Sequence, residues 1–361
     1  MQMTEEADAA VPDVSGACLP MHAVTLLPYG KVFTNQAGES VLDAALRQGI
    51  LLPHQCKTGT CGACRARVVH GEAVCLQGAQ PAALSPEEAG QGMRLLCCTQ
   101  ATSHLHIECA EIPHIPGIAV RKLPVRVAAM ERLAPDVMRV RLQPPVGQRL
   151  HYAAGQYVDV LLPGNRRRSY SLAAPAQEGK DLLELHIRHL PGGLFTDQVF
   201  GKLKARDVLR IEGPFGTFGM HDQGSLAPAI LLASGTGFAP VKALVEQLLA
   251  TGSGRRVHLY WGGRARADLY LHGLCLEWEQ AFEGRLTYVP VLSDAPESDA
   301  WEGRTGWVHQ AVLLDHADLA QHEVYACGAP GMVGAARRDF AALAGMRPVA
   351  FFADAFVAQP G

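Results

Sequence analysis

From His22 onward, short apolar runs alternate with turn residues. Residues 23–27 and 31–34 are parted by Pro28 and Gly30, which predicts a β-hairpin. Ser40 then opens a helix. Asp43 stands three residues on as a capping-box acid, Val41, Leu42, Ala45 and Leu46 share one face, and Gly49 is the stop. Residues 1–21 show no periodicity and are expected to be a mobile tail. Past a linker over 113–121, marked by Pro113 and Pro116-Gly117, the pattern becomes strict alternation at 125–127, 137–142, 157–161 and 183–187. Several short strands with turns between them predict an antiparallel barrel over 122–222. From Pro228 the rhythm changes again. An apolar strand at 230–233, a glycine-rich turn, a helix from near Val241 and further strands at 257–261 and 324–326 predict a parallel α/β sheet over 223–361.

Composition narrows the class. A chain of 361 residues holds two to three domains at about 150 residues each, and 48% apolar with 19% charged residues is globular usage. Acids and bases balance over 22–112, with six bases against seven acids, and over 113–361, with 26 against 24, so no basic patch points to nucleic acid. The longest uncharged stretch, 223–241, is broken by Pro228, Gly235, Gly237 and Pro240, so no membrane-spanning helix is predicted. The first residues carry Glu5, Glu6, Asp8 and Asp13 and no base, the reverse of a secretion signal, and a cytoplasmic protein is expected.

Seven of the ten cysteines fall between Cys56 and Cys109, a grouping that suggests metal binding in such a protein. Cys56, Cys61 and Cys64 have four and two residues between them, and Cys97 or Cys98 follows after about 32 more. This is the spacing of plant-type 2Fe-2S ferredoxins. Gly59 and Gly62 let backbone amides approach the sulfurs. Structural zinc is the competing reading, but it usually brings two C-x2-C pairs and this chain has one. On a strand, neighbours point to opposite faces, so Cys97 and Cys98 are not both ligands. In ferredoxin-like sequences the last ligand precedes Ser-Asp-Leu by a fixed distance, and Ser103-His104-Leu105 in that place favours Cys97. Cys18, Cys75, Cys109 and Cys275 are expected to be buried thiols.

In Arg166-Arg-Arg168-Ser-Tyr170-Ser171, a strand places Arg168 and Tyr170 on one face, joining a partner for a diphosphate to a flat aromatic platform. The block resembles the Arg-x-Tyr-Ser element of the ferredoxin-NADP reductase superfamily. That resemblance implies Arg168 on the FAD diphosphate, Tyr170 stacked on the isoalloxazine and Ser171 near its reactive nitrogen. Gly192-Gly193-Leu194-Phe195-Thr196 is similar to the superfamily's second flavin element, in which amides and a hydroxyl at a helix start receive phosphate. Gly213-Pro214-Phe215-Gly216 looks like the turn that closes the barrel.

Gly235-Thr236-Gly237 follows the 230–233 strand and opens a helix as a phosphate-cradling turn, with Pro240 in the first turn. Cys327-Gly328 ends the strand at 324–326, where open parallel sheets bind ligands, and the resemblance implies Cys327 beside the nicotinamide. Asp294 stands where NADPH-using relatives present a base to the 2′-phosphate, which favours NADH. By the same resemblance Phe356 or Phe352 shields the flavin.

From about residue 22 the chain resembles the three-domain reductases that serve bacterial oxygenases, and most of all the CDP-6-deoxy-3,4-glucoseen reductase group. The resemblance implies an α+β and α/β multidomain protein: a β-grasp 2Fe-2S domain at 22–112, an FAD barrel and an NAD-binding domain. A flavin alone bridges a two-electron hydride donor and a one-electron cluster, so the expected route is NADH, FAD, cluster, then a protein partner, either a dehydrase or an oxygenase component.

Overall fold

The computed structural model describes residues 21–50, 52–54, 57, 59, 62–109, 118–164, 166–176, 181–220 and 224–356. The expected acidic tail and most of the expected linker lie outside them. Three large sheets follow one another along the chain, each with its own core, and Ala73–Cys75 pairs with Thr99–Ala101 in a small two-stranded one.

The first is five-stranded, in the order Lys31–Gln36, Met21–Leu27, Leu105–Glu108, Arg65–His70, Met93–Leu95. The predicted hairpin is its antiparallel edge, and Met21–Leu27 runs parallel to Leu105–Glu108 in the centre. The helix Val41–Arg47 lies across it. Ser40 Oγ accepts from the Asp43 amide at 3.0 Å and donates to the Asp43 carboxylate at 2.7 Å. Val41, Leu42, Ala44 and Ala45 are its buried face.

The second sheet has six strands in the order Arg166–Ser171, Tyr157–Leu162, Val208–Phe215, Arg121–Ala134, Val137–Gln143, Leu183–Arg188, antiparallel throughout. An antiparallel bridge from Leu172 to Leu185 joins its two ends, so it closes as the predicted barrel. Inward Val125, Val127, Val140, Leu142, Val158, Val160, Leu185 and Ile187 fill it. Gly213-Pro214-Phe215, expected in a closing turn, is the end of the strand Val208–Phe215, with a cis Gly213-Pro214 bond.

The third sheet is parallel, in the order Arg304–Thr305, Leu286–Leu292, Val257–Gly263, Ala229–Ser234, Glu323–Gly328, Phe351–Ala355. The chain starts in the middle at Ala229–Ser234, moves out to one edge and returns to the other side. The order therefore reverses between Ala229–Ser234 and Glu323–Gly328, and a crevice opens beyond their carboxyl ends. The helix that follows the first strand runs Phe238–Ala250, three residues earlier than expected. Pro240 is tolerated because the amides of a first turn have no partner inside the helix.

Candidate active site

Of the four expected cysteine ligands, Cys56 and Cys61 lie outside the described residues. Cys64 and Cys97 meet with Sγ atoms 3.3 Å apart, both buried. Leu96–Cys98 is a turn of 3-10 helix and not a strand, so side-chain alternation does not separate the two neighbours. Cys98 Sγ lies 3.7 Å from Cys97 Sγ, and register with Leu105 alone selects Cys97. The hydrogen bond to Cys64, then burial, pushes the Cys97 thiol far above its ordinary range. A soft cation is what lets such crowded sulfurs ionise together, so the donor set fits an iron-sulfur group. Gly59 has φ +81, and a Cβ there would stand 2.4 Å from Gln80 O and 2.6 Å from Cys98 Sγ. It is required by close packing on the thiol region. Gly62 instead rests against Arg65 and Ala83. Among the remaining cysteines Cys275 is buried as expected, but Cys75 is exposed on a two-stranded edge and Cys109 is half-buried. Cys18 is outside the described residues.

A cavity of about 1060 Å³ opens between the barrel and the parallel sheet. Arg168, Tyr170, Ser171, Gly193, Leu194, Thr196, Gly235, Thr236, Gly328 and Phe356 line it, which gathers most of the expected site in one place. Gly192, Gly237, Asp294 and Cys327 do not line it.

On the barrel side, Tyr157 pairs in register with Ser171, and both reach the cavity. Tyr170 sits 5.6 Å from the Phe195 ring, and burial pushes its hydroxyl up out of the ordinary range. Gly192, at φ +79, shapes the turn behind the wall. The Thr196 hydroxyl is taken up by the turn itself, donating to Leu190 O at 2.9 Å and accepting from the Leu190 amide at 3.2 Å. Among the described residues nothing accepts a hydrogen bond from the amides of Leu194, Phe195 and Thr196. The phosphate-binding capacity of this element therefore rests on its backbone, with the hydroxyl holding its shape.

On the other side, a Cβ on Gly237 would lie 2.3 Å from Cys327 O, so this glycine closes the turn onto the neighbouring strand instead of facing a ligand. Gly328, at φ +134, makes the same approach to Ser234, whose Oγ accepts from the Ala329 amide at 2.9 Å. Cys327 is fully buried with Sγ 3.9 Å from Asp354 Oδ2, and burial drives the thiol up. It reaches the cavity only through Asp354, a wall residue whose carboxyl burial lifts to about 7. Phe356 is on the wall, its amide donating to Gly328 O at 2.7 Å, whereas Phe352 stacks on Tyr325 away from it. Ser293 lines the cavity, and the exposed Asp294 beside it donates its amide to Arg264 O.

Several wall residues escaped the sequence reading. His186 and Arg188 are alternate residues of the strand Leu183–Arg188, so their shared face was implicit in the strand pattern, whereas Asp268, in the turn after Val257–Gly263, was not. Trp307, 62% exposed, stands on the rim. The two halves are locked by buried charges. Lys242 Nζ donates to Ala173 O at 3.0 Å, to Glu184 at 3.2 Å and to Glu246 at 2.8 Å, while Glu184 also holds His186, whose other ring nitrogen meets Tyr270 Oη.

A closed antiparallel barrel and a parallel nucleotide-type sheet sharing one dinucleotide-sized cavity, preceded by a domain with converging thiols, define an iron-sulfur flavoprotein oxidoreductase. Family models agree: a 2Fe-2S iron-sulfur cluster binding domain matches residues 24–102, an oxidoreductase FAD-binding domain 124–220 and an oxidoreductase NAD-binding domain 231–338. The chain is 39% identical over 335 residues to the CDP-6-deoxy-L-threo-D-glycero-4-hexulose-3-dehydrase reductase of Yersinia pestis, covering 92% of this chain and 98% of that one. To the reductase component 1 of terephthalate 1,2-dioxygenase from Comamonas sp it is 34% identical, covering 90% and 94%. Among solved structures, the Amycolatopsis cytochrome P450 reductase GcoB superposes with a TM-score of 0.79 at 34% identity, covering 93% of this chain and 98% of that one. The protein belongs to the family of three-domain 2Fe-2S, FAD and NAD-binding reductases, as its motifs implied. No helix among the described residues is long and apolar enough to cross a membrane.

Proposed function

We propose that the protein oxidises NADH, in preference to NADPH, and delivers single electrons through a 2Fe-2S cluster held by Cys56, Cys61, Cys64 and Cys97 to a protein partner, a deoxysugar dehydrase or an oxygenase component. The observation that carries this reading is the single cavity in which the Arg168-to-Ser171 strand faces the Gly235-Thr236 turn and Gly328. When bound, FAD supplies the exchange between a hydride pair and single electrons.

The chain's own residues do the rest. Arg168 offers a guanidinium to the diphosphate, and the amides of Leu194, Phe195 and Thr196 add donors in the same wall. Tyr170 offers a flat face, and burial keeps its hydroxyl protonated. Phe356 and the barrel wall exclude water from the space between ring and nicotinamide, and Gly235 and Thr236 bring backbone close to the second dinucleotide. Asp354 can hold or release a proton near neutrality at the cavity wall.

The visible spectrum of purified protein, before and after anaerobic NADH, together with iron, zinc and flavin content, tests the reading. Flavin and cluster bands that bleach separately support it. Zinc in place of iron would point to a non-enzymatic metal-binding protein. A fragment beginning at residue 118 should keep flavin and NADH oxidation by a two-electron dye but lose cytochrome c reduction; full cytochrome c activity in that fragment would leave a flavin or ferric reductase with the cluster off the path.

A further inference from the structure

His54 and Lys57, which flank Cys56 in sequence, are seated on the flavin barrel. Lys57, which follows Cys56, has φ +57, a conformation that residues with a side chain rarely adopt. Its ammonium lies 3.8 Å from the centroid of the Phe215 ring and 3.5 Å from Asp159 Oδ2. Asp159 is 2% exposed, so this is not a solvated surface pair of little energetic weight. Its Oδ1 accepts from Ser169 Oγ at 2.6 Å, and Arg167 is its second cation at 3.6 Å. A buried carboxylate needs such partners, and here one of them comes from another domain.

His54 enters the same contact. Its ring stands edge-on to Phe215 at 5.7 Å and to Tyr157 at 6.1 Å, with Nδ1 2.7 Å from Leu52 O. Tyr157 and Phe215 are register partners on adjacent strands. Tyr157 also lines the cavity, as does Ser169, the residue that holds Asp159. An unbroken set of contacts thus runs from the cavity wall through Tyr157, Phe215 and Asp159 to His54 and Lys57 on either side of Cys56. The strained backbone at Lys57 has a physical counterpart, since it places the ammonium against both an aromatic face and a carboxylate.

We propose that Lys57, held between Phe215 and Asp159, is a positioning residue that fixes the cluster loop on the flavin barrel and thereby sets the rate of internal electron delivery. The inference rests on the proposed function, because delivery requires both groups; it occurs twice per NADH oxidised, one electron at a time. Lys57 touches neither the hydride donor nor the cavity, so the nicotinamide-to-flavin step does not depend on it.

Stopped-flow mixing of NADH with the full holoprotein separates the two steps. In Lys57→Met, flavin bleaching is expected at the parent rate while cluster bleaching slows on the order of 10-fold or more, and Lys57→Arg restores most of it. Small-angle scattering gives a readout independent of turnover: Lys57→Met should widen the particle and Lys57→Arg should not. If Lys57→Met loses its cluster, Asp159→Asn carries the same test from the barrel side, with slowed cluster bleaching expected. Equal cluster bleaching in the parent and whichever of these variants is loaded overturns the inference alone. A parent protein without iron or flavin removes the proposed function with it.

Discussion

Arg188 Nη1, from the barrel, lies 2.7 Å from Asp268 Oδ1, from the parallel sheet domain, on the wall of the shared cavity. Burial works to raise the Asp268 carboxyl, but the Arg188 charge and the amides of Arg264 and Ala265 outweigh it and hold the group below the ordinary range. The contact ties the two walls of the cavity together. Asp268→Asn is expected to cost about 1–3 kcal/mol of stability and to raise KM for NADH with FAD content unchanged. Calorimetry and steady-state kinetics check both.

Arg168 and Arg167 are neighbours with opposite duties. Arg167 pairs with Glu212 and Asp159 on the outer face, whereas Arg168 lines the cavity. Titration of apoprotein should show Arg168→Ala binding FAD on the order of 10- to 100-fold more weakly, the worth of a charge-assisted hydrogen bond. Arg167→Ala should bind near the parent value.

Cys97→Ser is expected to abolish the cluster bands, and Cys98→Ser to keep them. Cys98 Sγ lies 3.7 Å from Cys97 Sγ, so retention in Cys97→Ser with loss in Cys98→Ser would show that register was misread.

The position of Ser293 on the wall with Asp294 beside it predicts a higher kcat/KM for NADH than for NADPH. Asp294→Arg should narrow the ratio, mainly by lowering KM for NADPH. Equal kcat/KM values in the parent would remove the argument from charge.

His258, His316 and His322 cluster at the opposite end of the parallel sheet, with ring centroids 4.8 and 5.1 Å apart in succession. Burial, then the repulsion that a charge would meet beside His258 and His322, lowers His316 from 6.5 to about 4. A histidine kept neutral by the fold takes up a proton more readily when unfolded. Its contribution is therefore intact above pH 6.5 and is lost as the pH falls towards 4. The melting temperature of this domain should fall as the pH drops through that window, and less steeply in His316→Phe.

Much of this was legible in residue order because each architecture has its own period. Alternation at 137–142 and 183–187 marked the barrel, and an unbroken apolar run at 230–233 marked a strand covered on both faces. The Arg168-to-Ser171 block was readable as a motif, and not through alternation, since all four of its residues line the cavity. Alternation failed at Cys97 and Cys98, where the chain turns through a 3-10 helix that no local residue announces. Gly237 and Cys327 carry the look of ligand contacts, but the glycine is demanded by close approach to a carbonyl and the thiol lies behind Asp354. Residues such as Asp268 and Trp307 join the site only through tertiary packing, which leaves no local trace.

Lys242 also bears on how such proteins are assembled from parts. A cation that is 6% exposed and shared between Glu184 of the barrel and Glu246 of its own helix keeps only Glu246 as a charged partner when the barrel side is changed. Recombination between the barrel and the parallel sheet would remove the Glu184 partner in every chimera whose donor lacks a matching acid. Recombination in the segment before Arg121 leaves it untouched. A foreign iron-sulfur domain joined to this barrel must instead supply a cation to the buried Asp159, the part that Lys57 plays here.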